Sequence, residues 1–379
     1  MVTLDPERQQ KAKEYARLRR RLWLVGLLFS LLYAVLWIVS GWGVALRAWL
    51  EGFTTNQWLI VPAFVVVFGG IFFLLNLPLT FYEGFILPHR YQLSTQSLKD
   101  WLIDQLKSLV LSALIGLPLL ELLYLALRVT GDAWWIWAAV GMFFFTVLMV
   151  NLGPVLILPL FNKFVPLEAE HADLAQRLTQ LAEKAGTRVR GVFKFDMSRR
   201  TKAANAALTG IGNTRRIVLG DTLINEFTAD EIETVLAHEL GHHVHRDVPL
   251  LIAFGALVTG VGFYLVSVAM EGIVSMFGFQ GAWDVAAFPA LMLVFDLYSL
   301  FTMPLQNAFS RWRERLADEY ALTMTGKPQA FASALTRLAN QNLSEVDPER
   351  WVVWLFYSHP PLKERIERAQ GWPPATPTI

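Results

Sequence analysis

Cysteine is absent from all 379 residues. That excludes a disulfide scaffold, a zinc ribbon, a thiol nucleophile and cysteine-ligated iron–sulfur clusters. Charge is also scarce. Only 17% of the residues are Asp, Glu, Lys or Arg, against about 25% in an ordinary soluble domain. Hydrophobic residues make up 54%, more apolar surface than one soluble core buries. Intrinsic disorder is excluded on the same ground, because it requires low hydrophobicity. The net charge of +1 gives no field suited to nucleic acid, and no nucleic-acid partner is expected.

The apolar residues lie in long runs. A membrane helix needs about 20 of them in succession. Residues 22–46, 52–82, 108–127, 133–162, 249–270 and 285–310 meet that length, and the only charges within them are Glu121 and Asp296. Six spans are therefore expected. The first is too long for a cleaved leader and has no small-residue cleavage pattern after it. Arg19, Arg20 and Arg21 precede it directly. With a cytoplasmic N-terminus, loops 47–51, 128–132 and 271–284 face outward, and they hold only Arg47 and Arg128 of the 33 Lys and Arg residues. That distribution obeys the positive-inside rule, and both termini are expected in the cytoplasm. Trp58, Trp134, Trp135 and Trp137 open two of the spans, as residues of the interfacial belt do. Glu121 and Asp296 hint at a polar interior, since an acid facing lipid is costly.

Four regions follow: a membrane part over 1–162 with spans near 22–46, 55–82, 108–127 and 133–160; a polar segment over 163–248; two further spans over 249–310; and a polar tail over 311–379. In the polar segment, 173–185 reads as an amphipathic helix. Residues 189–195, 205–208 and 216–219 read as short strands, the last two joined by a turn around Gly210, Gly212 and Asn213. Thr228 with Glu231 three residues on has capping-box spacing and opens a helix. In the tail, 310–324 and 329–341 read as helices, and Pro373, Pro374 and Pro377 mark a frayed end.

The helix opened by Thr228 carries His238-Glu239-Leu240-Gly241-His242. Histidines four apart stand one turn apart on one helix face, so both imidazoles reach one zinc ion at about 2.0–2.1 Å. Glu239 follows the first ligand and can take a proton from water at the metal's open position. His243 and His245 fall off that face. A catalytic zinc needs a third protein ligand. Glu314 and Asp318, one turn apart on one predicted helix, are the best candidates: one to bind metal, the other to hold a ligand imidazole in its tautomer. His359, before Pro360 and Pro361, is the alternative.

Taken together, these residues resemble the type I CAAX prenyl proteases, a family of integral-membrane zinc metallopeptidases, over about residues 77–368. The resemblance rests on His238-Glu239-Leu240-Gly241-His242; on Ser310-Arg311, Glu314 and Ala317-Asp318; and on Phe161-Asn162-Lys163-Phe164 with Pro166-Leu167-Glu168. It rests also on Asn205-Ala206, Arg216-Ile217-Val218-Leu219, Asp221-Thr222-Leu223, Ser358-His359-Pro360 with Arg365, and an upstream stretch with Trp101, Asp104 and Lys107. It implies a mainly α fold: a polytopic helical bundle enclosing a chamber, joined to a cytoplasmic α+β metallopeptidase domain of the gluzincin type. It implies one zinc ion held by His238, His242 and Glu314, with Asp318 behind them and Glu239 as the base. His359 is implied as oxyanion donor with Arg365 supporting it, and Asn205 and Ala206 as a substrate-binding strand edge. The substrate implied is a peptide or protein at the bilayer, lipid-modified ones included, and in a prokaryote the membrane is the plasma membrane. Eukaryotic members have seven spans against the six counted here. A general quality-control membrane metalloprotease is the alternative activity. A transporter or scaffold with a structural zinc, closed by a fourth protein ligand, is the alternative class.

Overall fold

The computed structural model describes residues 2–210 and 215–373. Gly212, Asn213, Pro374 and Pro377 lie outside them. The chain runs through α1 (Pro6–Val39), α2 (Trp42–Glu51), α3 (Gln57–Phe81), α4 (Leu87–Arg90), α5 (Leu98–Val129), α6 (Trp134–Leu152) and α7 (Leu158–Phe161). It continues through β1 (Phe164–Pro166), α8 (Ala172–Lys184), β2 (Val192–Phe195), β3 (Ala206–Thr209), β4 (Arg216–Gly220), α9 (Asp221–Glu226) and α10 (Ala229–Val244). It ends with α11 (Asp247–Phe277), α12 (Phe288–Thr325), α13 (Pro328–Gln341), α14 (Arg350–Phe356) and α15 (Leu362–Gln370).

Among the described residues, six helical segments are long and apolar enough to cross a membrane: Pro6–Val39, Gln57–Arg90, Leu98–Val129, Gly131–Phe161, Asp247–Phe277 and Val285–Thr325. Their outer faces present Leu28, Leu74, Leu114, Phe144, Leu257 and Phe301 to the surroundings, a display that only lipid covers favourably. Inside, an aromatic cluster of Tyr33, Trp37, Phe64 and Phe68 packs with Tyr124, Phe263 and Met270. Asp296 turns inward, where Ser30 Oγ donates to its Oδ2 at 3.0 Å. It lines a cavity of about 620 Å³ with Phe72, Asn76 and Asn307. The carboxylate of Glu121 is buried without a hydrogen bond from any described residue.

Two boundaries differ from the sequence reading. The first apolar run, expected through residue 46, stops being one helix at Val39: Gly41 takes φ 73 and the chain turns into α2. Arg47 of α2 then pairs with the buried Asp284, so the loops after the first and fifth spans meet at one end of the bundle. The second difference concerns the tail helix expected from residue 310. It is the continuation of the last span, one 38-residue helix ending only at Gly326 with φ 60. At 1.5 Å per residue, Glu314 stands about 39 Å along this helix from Phe288, beyond a hydrocarbon core of about 30 Å. The membrane rod itself therefore delivers residues 313–318 to the polar domain.

That domain is a four-stranded sheet in the order β1-β2-β4-β3, with β2 and β4 parallel and the outer pairs antiparallel. β2, β3 and β4 fall where the alternation predicted strands. β1 was not foreseen. β3 is an edge strand. Below the sheet, Leu178, Leu181, Ile217, Leu219, Leu236, Leu240, Phe331 and Leu335 form one core. Arg200 of this domain donates to Asp104 of α5 at 2.7 and 3.0 Å, tying it to the bundle.

Candidate metal centre

α10 begins as its sequence directs. Thr228 accepts from the backbone N–H of Glu231 at 3.3 Å, and the Glu231 carboxylate accepts from the N–H of Thr228 at 2.8 Å. The same carboxylate accepts from Arg337 of α13 at 2.9 Å, which fixes the helix in rotation. One face of α10 presents His238, Gly241 and His242; one face of α12 presents Glu314, Ala317 and Asp318. The spacing is i, i+3, i+4 on both sides, so the two triplets meet. Gly241 and Ala317 permit the close approach: a Cβ on Gly241 would stand 2.9 Å from Ala317 Cα and 3.1 Å from its carbonyl oxygen.

At this crossing, donor atoms of His238, His242 and Glu314 all lie within 4.8 Å of one another. His238 Nε2 is 3.2 Å from Glu314 Oε2, and His242 Nε2 is 3.5 Å from Glu314 Oε1. Ligand atoms on a tetrahedral zinc at about 2.1 Å stand roughly 3.4 Å apart, so these separations suit a shared cation. Glu314 Oε2 is buried and accepts no hydrogen bond of normal geometry, as expected of an atom reserved for metal. Two imidazoles and a carboxylate are a zinc donor set. Of the two carboxylates open in the sequence, Glu314 faces both Nε2 atoms. Asp318 sits one turn further on, its Oδ1 2.9 Å from the buried His238 Nδ1, close enough to pair electrostatically though short of normal hydrogen-bond geometry.

Each imidazole is backed by a buried carboxylate, and each carboxylate by an arginine. Asp318 accepts from Arg365 Nε and Nη2 at 2.8 and 2.6 Å, so Arg365 is paired with Asp318 rather than with His359. His242 Nδ1 is 2.7 Å from Asp247 Oδ2, and Asp247 Oδ1 accepts from Arg313 Nε at 2.6 Å. The sequence reading missed Asp247 and Arg313. Asp247 returns beneath His242 because Arg246 takes a left-handed conformation, φ 55, between α10 and α11. Of the off-face histidines, His245 packs edge-on against Tyr320.

His359 is exposed, with Nε2 3.1 Å from Glu314 Oε1. It lies against the third carboxylate but outside the three-ligand cluster. Glu239 lines a cavity of about 180 Å³ with His238, His359, Arg365, Asn205 and Ala206. Burial pushes the Glu239 carboxyl above its ordinary pKa, against the pull of His238 and His242. For His238, burial works downward, but the Asp318 and Glu314 carboxylates outweigh it and push the imidazole up to about 9. A proton thus competes with the cation for this site. The Glu239 carboxyl, His238 of the three-donor cluster and the β3 edge at Asn205 and Ala206 thus meet in one cavity, an arrangement able to bring a base, a metal and a peptide backbone together.

Known proteins show the same organisation. Residues 2–163 match the family described as CAAX prenyl protease N-terminal, five membrane helices, and residues 168–373 match peptidase family M48. Within 2–163 this chain has four helical segments long and apolar enough to span. An uncharacterized metalloprotease of Bacillus subtilis, YhfN, is 32% identical over 97% of this chain and 86% of its own length. CAAX prenyl protease 1 of Saccharomyces cerevisiae is 30% identical over 96% of this chain and 86% of its own. The crystal structure of S. mikatae Ste24p superposes with a TM-score of 0.86 at 28% identity, covering 97% of this chain and 90% of that one.

Proposed function

Because the chain belongs to peptidase family M48 and is an integral-membrane metallopeptidase, we propose that it binds one zinc ion through His238, His242 and Glu314. We propose further that it cleaves peptide bonds near the C-termini of prenylated or membrane-held substrates. The observation that carries this reading is the meeting of three donor atoms within 4.8 Å, with Glu239 lining the same cavity. A zinc ion held there supplies Lewis acidity, which makes water a nucleophile near neutral pH. Glu239 accepts the proton of the attacking water and returns it to the leaving amine; its raised pKa suits both transfers. His359, beside Glu314, donates to the oxygen that gains charge. Asp318 and Asp247 hold His238 and His242 in the tautomer that leaves each Nε2 a lone pair. Arg365 and Arg313 hold those carboxylates.

The substrate backbone pairs with the outer edge of β3 as an added strand. Asn205 Oδ1 already accepts from the N–H of Ala206 at 2.9 Å, which leaves its Nδ2 to donate to the peptide, while Ala206 offers its carbonyl. The relatives named CAAX prenyl protease motivate the lipid-modified substrate, and a site borne on a membrane rod favours substrates that stay at the bilayer. The zinc site and both termini face the cytoplasm, since Arg47 and Arg128 are the only basic residues in the opposite loops.

The test is zinc stoichiometry on purified protein, followed by cleavage of one peptide in farnesylated and unmodified forms. Zinc at one per chain and a loss of about 10²–10⁴-fold in kcat for Glu239→Gln are expected. Equal rates in wild type and Glu239→Gln would sink the assignment of the base. Equal kcat/KM for the two peptides would remove prenylation from the substrate description.

A further inference from the structure

The free edge of β3 has a built stop. The backbone of Asn205 faces β4, where its carbonyl accepts from Gly220 at 2.9 Å. Backbone groups alternate sides along a strand. Those of Ala204, Ala206 and Leu208 therefore point to the open side, where an added peptide pairs. At Ala204 that side is taken. Asn342 Oδ1 accepts from the Ala204 N–H at 2.8 Å, and Asn342 Nδ2 donates to the Ala204 carbonyl at 3.2 Å. A single side-chain amide thus makes both hydrogen bonds that one residue of an added strand makes. The next outward group, the N–H of Ala206, is covered by Asn205 Oδ1. Among the described residues, free pairing begins at the Ala206 carbonyl.

Asn342 is set firmly in this place. It follows the last residue of α13, and the chain reverses at Leu343, whose φ of 51 is left-handed. The Leu343 side chain is buried in a small cluster with Ala12 and Leu93, and Ser344 N–H closes the helix end on the Ala339 carbonyl at 2.9 Å. Non-glycine residues adopt this conformation only where packing dictates it. Asn342 also lines both the cavity that holds Glu239 and His359 and the adjoining cavity of about 630 Å³ that reaches Arg19 and Arg20 of α1. It stands where the substrate path meets the strand edge.

We propose that Asn342 is a positioning residue that sets the register of the bound peptide, and through it the bond that is cut; this rests on the strand-addition reading above. With Ala204 blocked, a substrate strand cannot slide one pairing position along β3. Such a slide moves the peptide by two residues and presents a bond two positions away to Glu239.

The experiment maps cleavage sites by mass spectrometry on an end-labelled peptide ending in Cys-aliphatic-aliphatic-X, farnesylated and unmodified. The enzymes are wild type, Asn342→Ala, Asn342→Asp and Gln341→Ala, each shown to be folded by thermal unfolding in detergent. Asn342→Ala frees both groups of Ala204, and the share of product cut two residues from the main site rises about tenfold, the worth of two backbone hydrogen bonds. Asn342→Asp keeps the acceptor and loses the donor, so its shift is smaller; being isosteric, it also covers the case in which Asn342→Ala does not fold. Gln341→Ala removes a bond to the Lys202 carbonyl of 2.8 Å from the same helix end, and its map stays that of wild type. Active Asn342 variants that keep the single wild-type cut overturn the proposal, whatever their stability. Cleavage by wild type tests the protease reading separately.

Discussion

Replacing Asp247 by Asn tests whether the site is built as a chain of supports. Asp247 is 1% exposed and serves two donors, the half-buried His242 Nδ1 at 2.7 Å and the buried Arg313 Nε at 2.6 Å. A carboxylate accepts from both. An amide has one oxygen, so one donor meets an NH₂ group instead. If His242 is the loser, its ring is free to turn or change tautomer. Loss of such an outer partner costs typically 10–100-fold in metal affinity, or about 1.4–2.7 kcal/mol. If Arg313 is the loser, the cost of about 1–3 kcal/mol falls on folding. Asp247→Ala confounds the two, because it strands the 6%-exposed Arg313 at about 3–5 kcal/mol. Zinc affinity of Asp247→Asn by chelator competition, beside thermal unfolding of the zinc-free protein, separates them. A zinc affinity equal to wild type, with only the melting temperature lowered, refutes the claim that Asp247 orients His242.

Two further perturbations bear on the same centre. Gly241→Ala places a methyl 2.9 Å from the Ala317 backbone, which cannot move without shifting α12. About 1–3 kcal/mol of stability is lost, and zinc content falls because His238 and His242 recede from Glu314. Since the clash is with backbone, Ala317→Gly does not restore zinc binding, and a restored zinc content in the double variant would show that side-chain crowding alone was at fault. In pH dependence, the zinc-free His238 has its pKa raised from 6.5 to about 9. A raised folded-state pKa contributes stability that is complete below about 6.5 and lost as pH rises through about 9. The zinc-free protein therefore loses stability across that window. Zinc displaces the same proton, so zinc affinity rises over it. Melting temperatures and chelator competition at several pH values check both slopes, and a zinc affinity flat in pH would show that His238 carries no proton in the free site.

The zinc helix was legible because its signals are local. The capping box and the i, i+4 histidines sit within one helix, and both appear as read. The six spans were legible for the same reason, since length and hydropathy are local quantities. The choice between Glu314 and Asp318 was not a matter of pattern: both share one face, and only the height at which α12 crosses α10 separates them. The break at Gly41 was hidden because no charged residue interrupts the apolar run through it, and Ser40 and Gly41 alone do not mark a helix end inside a span. The continuity of α12 was hidden for the opposite reason. A change from apolar to charged composition reads as a boundary, yet no helix stop occurs before Gly326. β1 is three residues long and exists by pairing with β2, which its own sequence does not announce. Asp247 was invisible because its partnership depends on a left-handed turn at Arg246, a conformation that nothing in an arginine codon position suggests.

The electrostatics of the assembled centre give a reason for the ion beyond the donor set. Glu239, Asp247, Glu314 and Asp318 converge with His238 and His242 in a largely buried crossing of α10, α11 and α12. Among the described residues, Arg313 and Arg365 are the permanently charged groups that meet them at contact distance. Four carboxylates against two guanidiniums leave an excess of two negative charges, the charge a divalent cation brings. Uncompensated buried charge is costly enough that groups change protonation to escape it. The two upward shifts do this: His238 tends to hold a proton and Glu239 tends to regain one. The centre without its ion is therefore predisposed to take up protons. A divalent ion held by His238, His242 and Glu314, as proposed, would relieve that excess at His238 and leave Glu239 as the group whose proton is free to move. The arginines already hold Asp247 and Asp318, which leaves Glu314 and Glu239 for the proposed roles of ligand and base.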